Sequence, residues 1–362
     1  MTRILRWLPL LPLMLGNFPA CAAMPAELIS LTRFDDFARE AEGIGNVAVI
    51  TSPVIRPAAA WDELVLSWNA EAPSGTWLEF EARALSGQHA TRYYALGVWS
   101  EDDADGHRES VNSQADADGE VKTDTLVLRQ AFDRVQLRVT LHATENGLRP
   151  RLKFLGLSLL DTRAAGKPRR PRRSSWGRVI EVPQRSQVPF GERRGWCSPT
   201  ATSMVLAHWA KQLQRPALEL SVPEVARGVF DKNWPGTGNW PFNTAFAGKF
   251  PGLRACVARL NDVTDLEGLV QAGIPPVVSI SYDALKGKPD AGGSGHLIVC
   301  VGFTKTGDIV VNDPWARLDR GESVRKIFPR ENLIAAWKAS HNTAYLICPE
   351  KLAPVIDATF QR

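Results

Sequence analysis

Three short stretches of this sequence carry residue types that can make and break covalent bonds. The first is Trp196-Cys197-Ser198-Pro199-Thr200, which sets a cysteine at the mouth of an expected helix. Ser198 is a good N-cap and Pro199 suits the first helical position. A thiol at the positive end of a helix has a lowered pKa and a larger thiolate fraction, as a sulfur nucleophile requires. A cysteine is otherwise often a small buried hydrophobe. The polar, glycine-rich approach Gly191-Glu192-Arg193-Arg194-Gly195-Trp196 argues against that here.

The second stretch is Gly292-Gly293-Ser294-Gly295-His296, which opens the apolar run Leu297 to Phe303. A histidine at a strand mouth can face a cleft, take the thiol proton and return it to a leaving group. Alone, it would serve equally well as a hydrogen-bonded core histidine. The stretch is a near miss for the serine-hydrolase G-x-S-x-G, with His296 where the last glycine would stand. The third stretch is Asn312-Asp313-Pro314, at the end of the next strand of a hairpin turning through Lys305-Thr306-Gly307. Adjacent antiparallel strands would bring Asp313 near His296, where a carboxylate orients an imidazole and stabilises its charged form.

The elements expected around these residues form an α+β domain over residues 179–350. Pro199 to Leu213 reads as a helix, with Ala201, Met204 and Val205 on one stripe. His208 follows on that stripe and reads as a hydrogen-bonded helix residue. Ser221-Val222-Pro223-Glu224 and Thr264-Asp265-Leu266-Glu267 are capping boxes that would start two more helices, the second stopping near Gly273. Strands are expected at Val179 to Val182, Pro276 to Ile280, His296 to Phe303 and Asp308 to Asn312. Between Cys197 and His296 lies a loop, Asn233 to Phe242, with two tryptophans. It suits a cleft wall and a packed loop equally well.

Residues 30–160 differ in texture. Leu64 to Trp68, Trp77 to Glu81, Tyr94 to Val98 and Val135 to Val139 alternate as short strands, with turn residues between them. An all-β sandwich-like domain follows from that pattern, with a short helix over Arg33 to Ala41 ahead of it. His89, His107 and His142 read as ordinary surface or edge residues. Residues 161–178 contain the run Arg163-Ala164-Ala165-Gly166-Lys167-Pro168-Arg169-Arg170-Pro171-Arg172-Arg173, which reads as a solvated basic linker. A clamp for an anionic envelope polymer is the sharper reading. A chain beginning near Ser174 is then expected to fold alone.

Taken together, Val182-Pro183-Gln184-Arg185-Ser186-Gln187, Trp196 to Thr200, Gly295-His296-Leu297-Ile298-Val299 and Asn312-Asp313-Pro314 resemble the peptidase C39-like family, over about residues 179–350. The resemblance implies a papain-like fold, with Cys197 as nucleophile, His296 as base and Asp313 as orienter. It also implies that a glutamine upstream of the cysteine donates to the oxyanion. Gln187 matches that position and Gln184 competes for it. Ser198 stands where the family often has glycine. Many family members are joined to transporters and cut double-glycine leaders. With no membrane or ATP-binding segment in this sequence, that role is not carried over.

The 362 residues, 44% hydrophobic and 23% charged, suffice for two cores. A net charge of +4 is too small to suggest a nucleic-acid partner. Residues 1–23 read as a signal peptide: Arg3 and Arg6, an apolar stretch from Trp7 to Phe18, then Ala20-Cys21-Ala22. At about 20 residues for a span, that stretch is too short for an anchor. The expected location is therefore extracytoplasmic, periplasmic or secreted, with no integral membrane segment after processing. Lipidation at Cys21 is disfavoured by Phe18-Pro19-Ala20. The remaining cysteines, Cys197, Cys256, Cys300 and Cys348, show no C-x-x-C pair and no framework pattern, and Cys300 reads as a buried hydrophobe. No metal or other cofactor is expected. The leading expectation is hydrolysis of a peptide or amide, with cell-envelope material a candidate substrate source. Acyl transfer through the same residues and an inactive envelope-binding protein are the alternatives.

Overall fold

The computed structural model describes residues 25–40, 46–102, 107–167, 169–191, 195–290, 292 and 295–360. The expected signal peptide therefore lies outside the described residues. Alternation of apolar and polar residues builds the first half. In its first sheet, β1 (Ala26–Leu31), β4 (Trp61–Glu71), β8 (Gly119–Lys122), β9 (Thr125–Phe132) and β11 (Arg151–Leu160) run in the order β1-β11-β4-β9-β8. The second sheet holds β2 (Ala38–Arg39), β3 (Val47–Thr51), β5 (Trp77–Ser86), β6 (His89–Ala90), β7 (Tyr94–Trp99) and β10 (Arg134–His142). Every second residue of β5 is buried, from Leu78 through Phe80 and Ala82 to Ala84. Phe80 meets Trp68 of the other sheet in a stacked pair with centroids 4.1 Å apart.

The second half contains α1 (Cys197–Leu213), α2 (Val222–Gly228), α3 (Trp240–Gly248), β12 (Leu253–Arg259), α4 (Val263–Gln271), β13 (Val277–Ser281) and α5 (Tyr282–Leu285). Then come β14 (Gly295–Phe303), β15 (Ile309–Asn312), β16 (Arg325–Phe328), α6 (Arg330–Lys338), β17 (Thr343–Pro349) and α7 (Ala353–Phe360). These strands form one antiparallel sheet in the order β12-β17-β13-β14-β15-β16. Its central strands are buried along their length, as runs such as Leu297 to Phe303 require. Helix α1 lies against β14 and β17.

Several local expectations change. Residues 33–40 form a turn and the short β2, because Phe34 and Phe37 pack edge to face at 5.3 Å and pull the segment onto the core. Helix α1 begins at Cys197, one residue ahead of the proposed cap, and the Ser198 hydroxyl instead meets the Tyr345 hydroxyl at 2.8 Å. Helix α2 has its capping box at Ser221 and Glu224. Helix α4 is capped by Asp262, which accepts from Thr264 N–H; Glu267 is taken up by Arg330, Trp176 and the Arg172 N–H. The basic run is not fully solvated: Arg169 forks onto Asp262 and Asp265 of the second half.

The largest departure concerns independence. Strand β4 is buried on both faces, since α3 and β12 cover the face that the second sheet does not. Phe242 of α3 inserts between Trp68 and Trp99, at 6.1 and 5.6 Å. Strand β12 is the edge of its sheet, and an edge strand needs partners for its outward N–H and C=O groups. Side chains from the first half supply them. Asn69 accepts from Ala255 N–H and donates to Ala255 C=O, Ser67 accepts from Val257 N–H, and Ser158 accepts from Arg259 N–H. Gly248 allows this approach; a Cβ there would lie 2.1 Å from the Asn69 amide nitrogen.

A fragment starting near Ser174 would therefore bare an apolar face and an unpaired edge, and is expected to aggregate rather than fold. Asn69→Ala leaves two buried backbone groups unpaired and should cost on the order of 2–4 kcal/mol. Denaturant melts of the full chain measure that loss. An unchanged midpoint, or a soluble and cooperatively melting 174–362 fragment, would contradict this view of the interface.

Candidate active site

The start of α1 and the start of β14 meet, and they bring Cys197 to His296. Both are nearly buried, at 7% exposure each. His296 and the N–H groups of Leu297 and Ser198 favour the charged form of the thiol. Gly195 makes the approach to the helix tight: at φ +76°, a Cβ there would sit 2.6 Å from Gly238 N. Gly195, two residues before the cysteine, is thus pressed against the 233–242 loop, which the sequence left divided between cleft wall and packing.

His296 is aligned by the turn that follows β15. Its Nε2 lies 2.8 Å from Asp313 Oδ1, which leaves Nδ1 for the thiol. Asp313 is fully buried and receives three further donors: Trp315 N–H at 2.9 Å, the Tyr282 hydroxyl at 2.7 Å and Lys326 Nζ at 2.9 Å. The Tyr282 ring also covers His296, with centroids 4.6 Å apart. Asn312 is employed elsewhere, between the Val182 carbonyl and Arg325. Among these groups, Tyr282 and Lys326 were not legible in the sequence. Neither lies in a motif, and only the sheet order brings β13, β15 and β16 to one point.

Burial would push the Asp313 carboxyl up, but His296, Lys326 and Tyr282 together hold it well below the usual carboxylate range. Burial also opposes a charged imidazole; Asp313 and the thiol outweigh it and raise His296 to about 9. The Cys197 thiol is pushed up by burial and pulled down further by His296 and the two N–H groups, for a net lowering. The three buried thiols elsewhere go the other way: burial raises Cys256, Cys300 and Cys348. All four described cysteines are free.

The two candidate glutamines separate clearly. The Gln184 amide oxygen accepts from Arg325 N–H. Gln187 is 4% exposed, its backbone N–H is tied to the Pro314 carbonyl at 2.9 Å, and its buried Oε1 has no partner. Its side-chain amide makes no hydrogen bond among the described residues. His208 bonds the Glu181 carbonyl through Nδ1 at 2.8 Å, as a structural helix residue would. No cluster of His, Cys, Asp or Glu among the described residues could hold a metal ion.

Cys197 and His296 open into a cleft of about 710 Å³. Trp234, Gly238 and Trp240 line one side, and Ser279, Leu297 and His341 another. Further lining comes from the Glu63–Arg259 pair and from Lys122 to Thr125, of the hairpin between β8 and β9. A larger cavity of about 1030 Å³, lined by Phe190, Trp196 and Phe230, lies beyond the loop but does not include the thiol.

A thiol–imidazole–carboxylate chain set between a helix start and a sheet defines the cysteine peptidase-type hydrolases as a class. The chain belongs to the peptidase C39-like family: residues 179–345 match the model described as Peptidase C39 like family, and residues 29–159 match that of the peptidase C39 N-terminal domain. Among solved structures, a Bacillus anthracis protein described as C39-like is 18% identical, with 48% of this chain and 98% of that one covered and a TM-score of 0.36. The structure of infectious bursal disease virus Gx strain is 14% identical, with 45% and 38% covered and a TM-score of 0.20. No curated protein matches the chain.

The pKa directions predict how the thiol behaves. Alkylation of Cys197 by iodoacetamide should set in below the ordinary cysteine pKa of about 8.5. In His296→Ala only the burial penalty and two N–H groups remain, so the onset should move above that value. An onset unchanged by the substitution, read from the rate against pH, would show that His296 does not set the thiol's charge.

Proposed function

We propose that this protein hydrolyses a peptide or amide bond through Cys197, His296 and Asp313. The observation that carries the reading is a thiol sharing one cleft with an imidazole that is itself hydrogen-bonded to a buried carboxylate. In the first step the Cys197 sulfur bonds to the substrate carbonyl carbon, and negative charge moves to the carbonyl oxygen. Gln187, with an uncommitted buried amide on the chain leading to Cys197, is assigned to donate to that oxygen. The C–N bond then breaks, and His296 passes its proton to the departing amine. Water attacks the thioester with His296 now taking a proton, the acid leaves, and the thiol is restored. Asp313 remains ionised throughout and holds the ring.

Four substitutions test this with any turned-over peptide or activated amide. Cys197→Ala should be inactive with its fold intact, and His296→Ala nearly so. Asp313→Asn should be impaired without being dead. Gln187→Ala should lose roughly 10²-fold or more in kcat, the usual effect of deleting one oxyanion donor. Wild-type activity should rise with ionisation of Cys197 and fall as His296 deprotonates near pH 9, because the leaving group then lacks its proton donor. Asp313→Asn should bring that falling limb to lower pH. Full turnover by Cys197→Ala would remove the assignment.

The site of action is proposed to be outside the cytoplasm, after removal of a leader ending near residue 22 or 23. The three-part pattern of residues 1–23 supports this. Mass spectrometry of the mature protein should find the shortened N-terminus; an intact Met1 on exported material would contradict it.

A further inference from the structure

One wall of the cleft belongs to the other half of the chain. The β8–β9 hairpin turns in two residues, Thr123 and Asp124, between the paired Lys122 and Thr125. Thr123 sits at φ +60°, a conformation that costs a β-branched residue energy. The strained tip delivers Asp124, 7% exposed, into the same cleft as Cys197 and His296. The tip is pinned there: Asp124 Oδ2 accepts from Trp240 N–H at 2.8 Å, at the start of α3, and Oδ1 accepts from the Thr125 hydroxyl.

The cleft is lined by charges of both signs, and all but one of the carboxylates there are met by a cation: Asp124 is the exception. Glu63 is paired with Arg259 and His341. Lys122 is turned to Glu120 on the exposed side of its own hairpin. Asp231, fully buried behind the 233–242 loop, adds its field to that of Asp124 and is held by hydroxyl, amide and backbone donors. Arg259 is the buried cation shared by this acidic set. Asp124 itself makes no ion pair among the described residues; its carboxylate accepts from one backbone N–H and one hydroxyl.

From this we infer that Asp124 is a specificity-determining residue of the cleft, supplied by the β-rich half, and that the substrate carries a cationic group, such as a lysyl or other amine side chain, close to the scissile bond. The inference rests on the reading of Cys197 as nucleophile and adds to it the class of substrate. Burial raises the Asp124 carboxyl to about 6, so it is mostly anionic at pH 7, and an approaching ammonium group would relieve the cost of keeping it so.

The test uses the full chain and matched tripeptidyl chloromethyl ketones, identical except for one lysine or one norleucine, placed in turn at each of the three positions. Attack by Cys197 forms a thioether at the methylene carbon and releases chloride, so the inactivation rate constant reads recognition directly. At one position the lysyl probe should react at least about tenfold faster than its norleucyl twin at low salt. Asp124→Asn keeps an oxygen acceptor for Trp240 N–H and should bring that ratio close to one with little change in Tm. Iodoacetamide, which needs no subsite, runs beside both proteins. Wild-type ratios near one at every position, with normal iodoacetamide labelling, would overturn the inference and leave the thiol reading standing. A ratio that persists in Asp124→Asn would overturn it as well and reduce Asp124 to a cap joining hairpin and helix. Failure of Cys197 to label with any reagent would instead remove the nucleophile. The wild-type ratio needs no variant, so poor folding of Asp124→Asn would not rescue a failed preference.

Discussion

A carboxylate with no access to water must have its charge balanced inside the protein, and Asp313 is such a group. Four donors from different parts of the chain converge on it: an imidazole, a phenol, an ammonium and a backbone N–H. Removing any one leaves the charge short of a partner. The same convergence fixes the ring of His296, and a fixed, charged ring lowers the pKa of the buried Cys197 thiol. The packing of β13, β15 and β16 around this point therefore carries an electrostatic requirement as well as an apolar one. The Asp313-Pro314 turn has a second duty, because the Pro314 carbonyl anchors the backbone N–H of Gln187.

The second constraint is the open edge of β12. The other end of that sheet carries β16, whereas β12 faces the first half of the chain and takes its missing partners from Asn69, Ser67 and Ser158. Short polar side chains on an otherwise apolar strand face thus do the work of a neighbouring strand. Phe242 seals the contact between Trp68 and Trp99. Once the halves are locked in this way, the β8–β9 hairpin is held over the cleft, and its tip stays there at the expense of a strained threonine. The cleft beside Cys197 and His296 is consequently walled by both halves of the chain.

What could be read from the sequence was local or close to local. Cys197 stood out through its helix start, His296 through the glycines before an apolar strand, and Asp313 through a short hairpin, since each signal lies within a few residues. The strands Leu64 to Trp68 and Val135 to Val139 were visible because alternation has a period of two. The failures have the opposite character. Ser198 looked like a cap because nothing local reveals Tyr345 as its partner. Arg33 to Ala41 looked helical because its two phenylalanines do not announce that they will pack on a sandwich. Arg169 looked solvated because Asp262 and Asp265 are far along the chain, and composition cannot show that a charge will be met. Tyr282, Lys326 and Asp124 reach the site only through sheet order, which single-sequence periodicity does not encode.

The central claim is that Cys197 carries the acyl group during turnover. Brief exposure to p-nitrophenyl acetate, quenching in acid and peptide mapping by mass spectrometry would test it most directly. The account predicts one acetyl group per chain, as a hydroxylamine-sensitive thioester on Cys197. It should disappear with time in the wild type, persist longer in Asp313→Asn and be absent in Cys197→Ala. Acetylation on another residue, or release of p-nitrophenol by Cys197→Ala at the wild-type rate, would contradict the account.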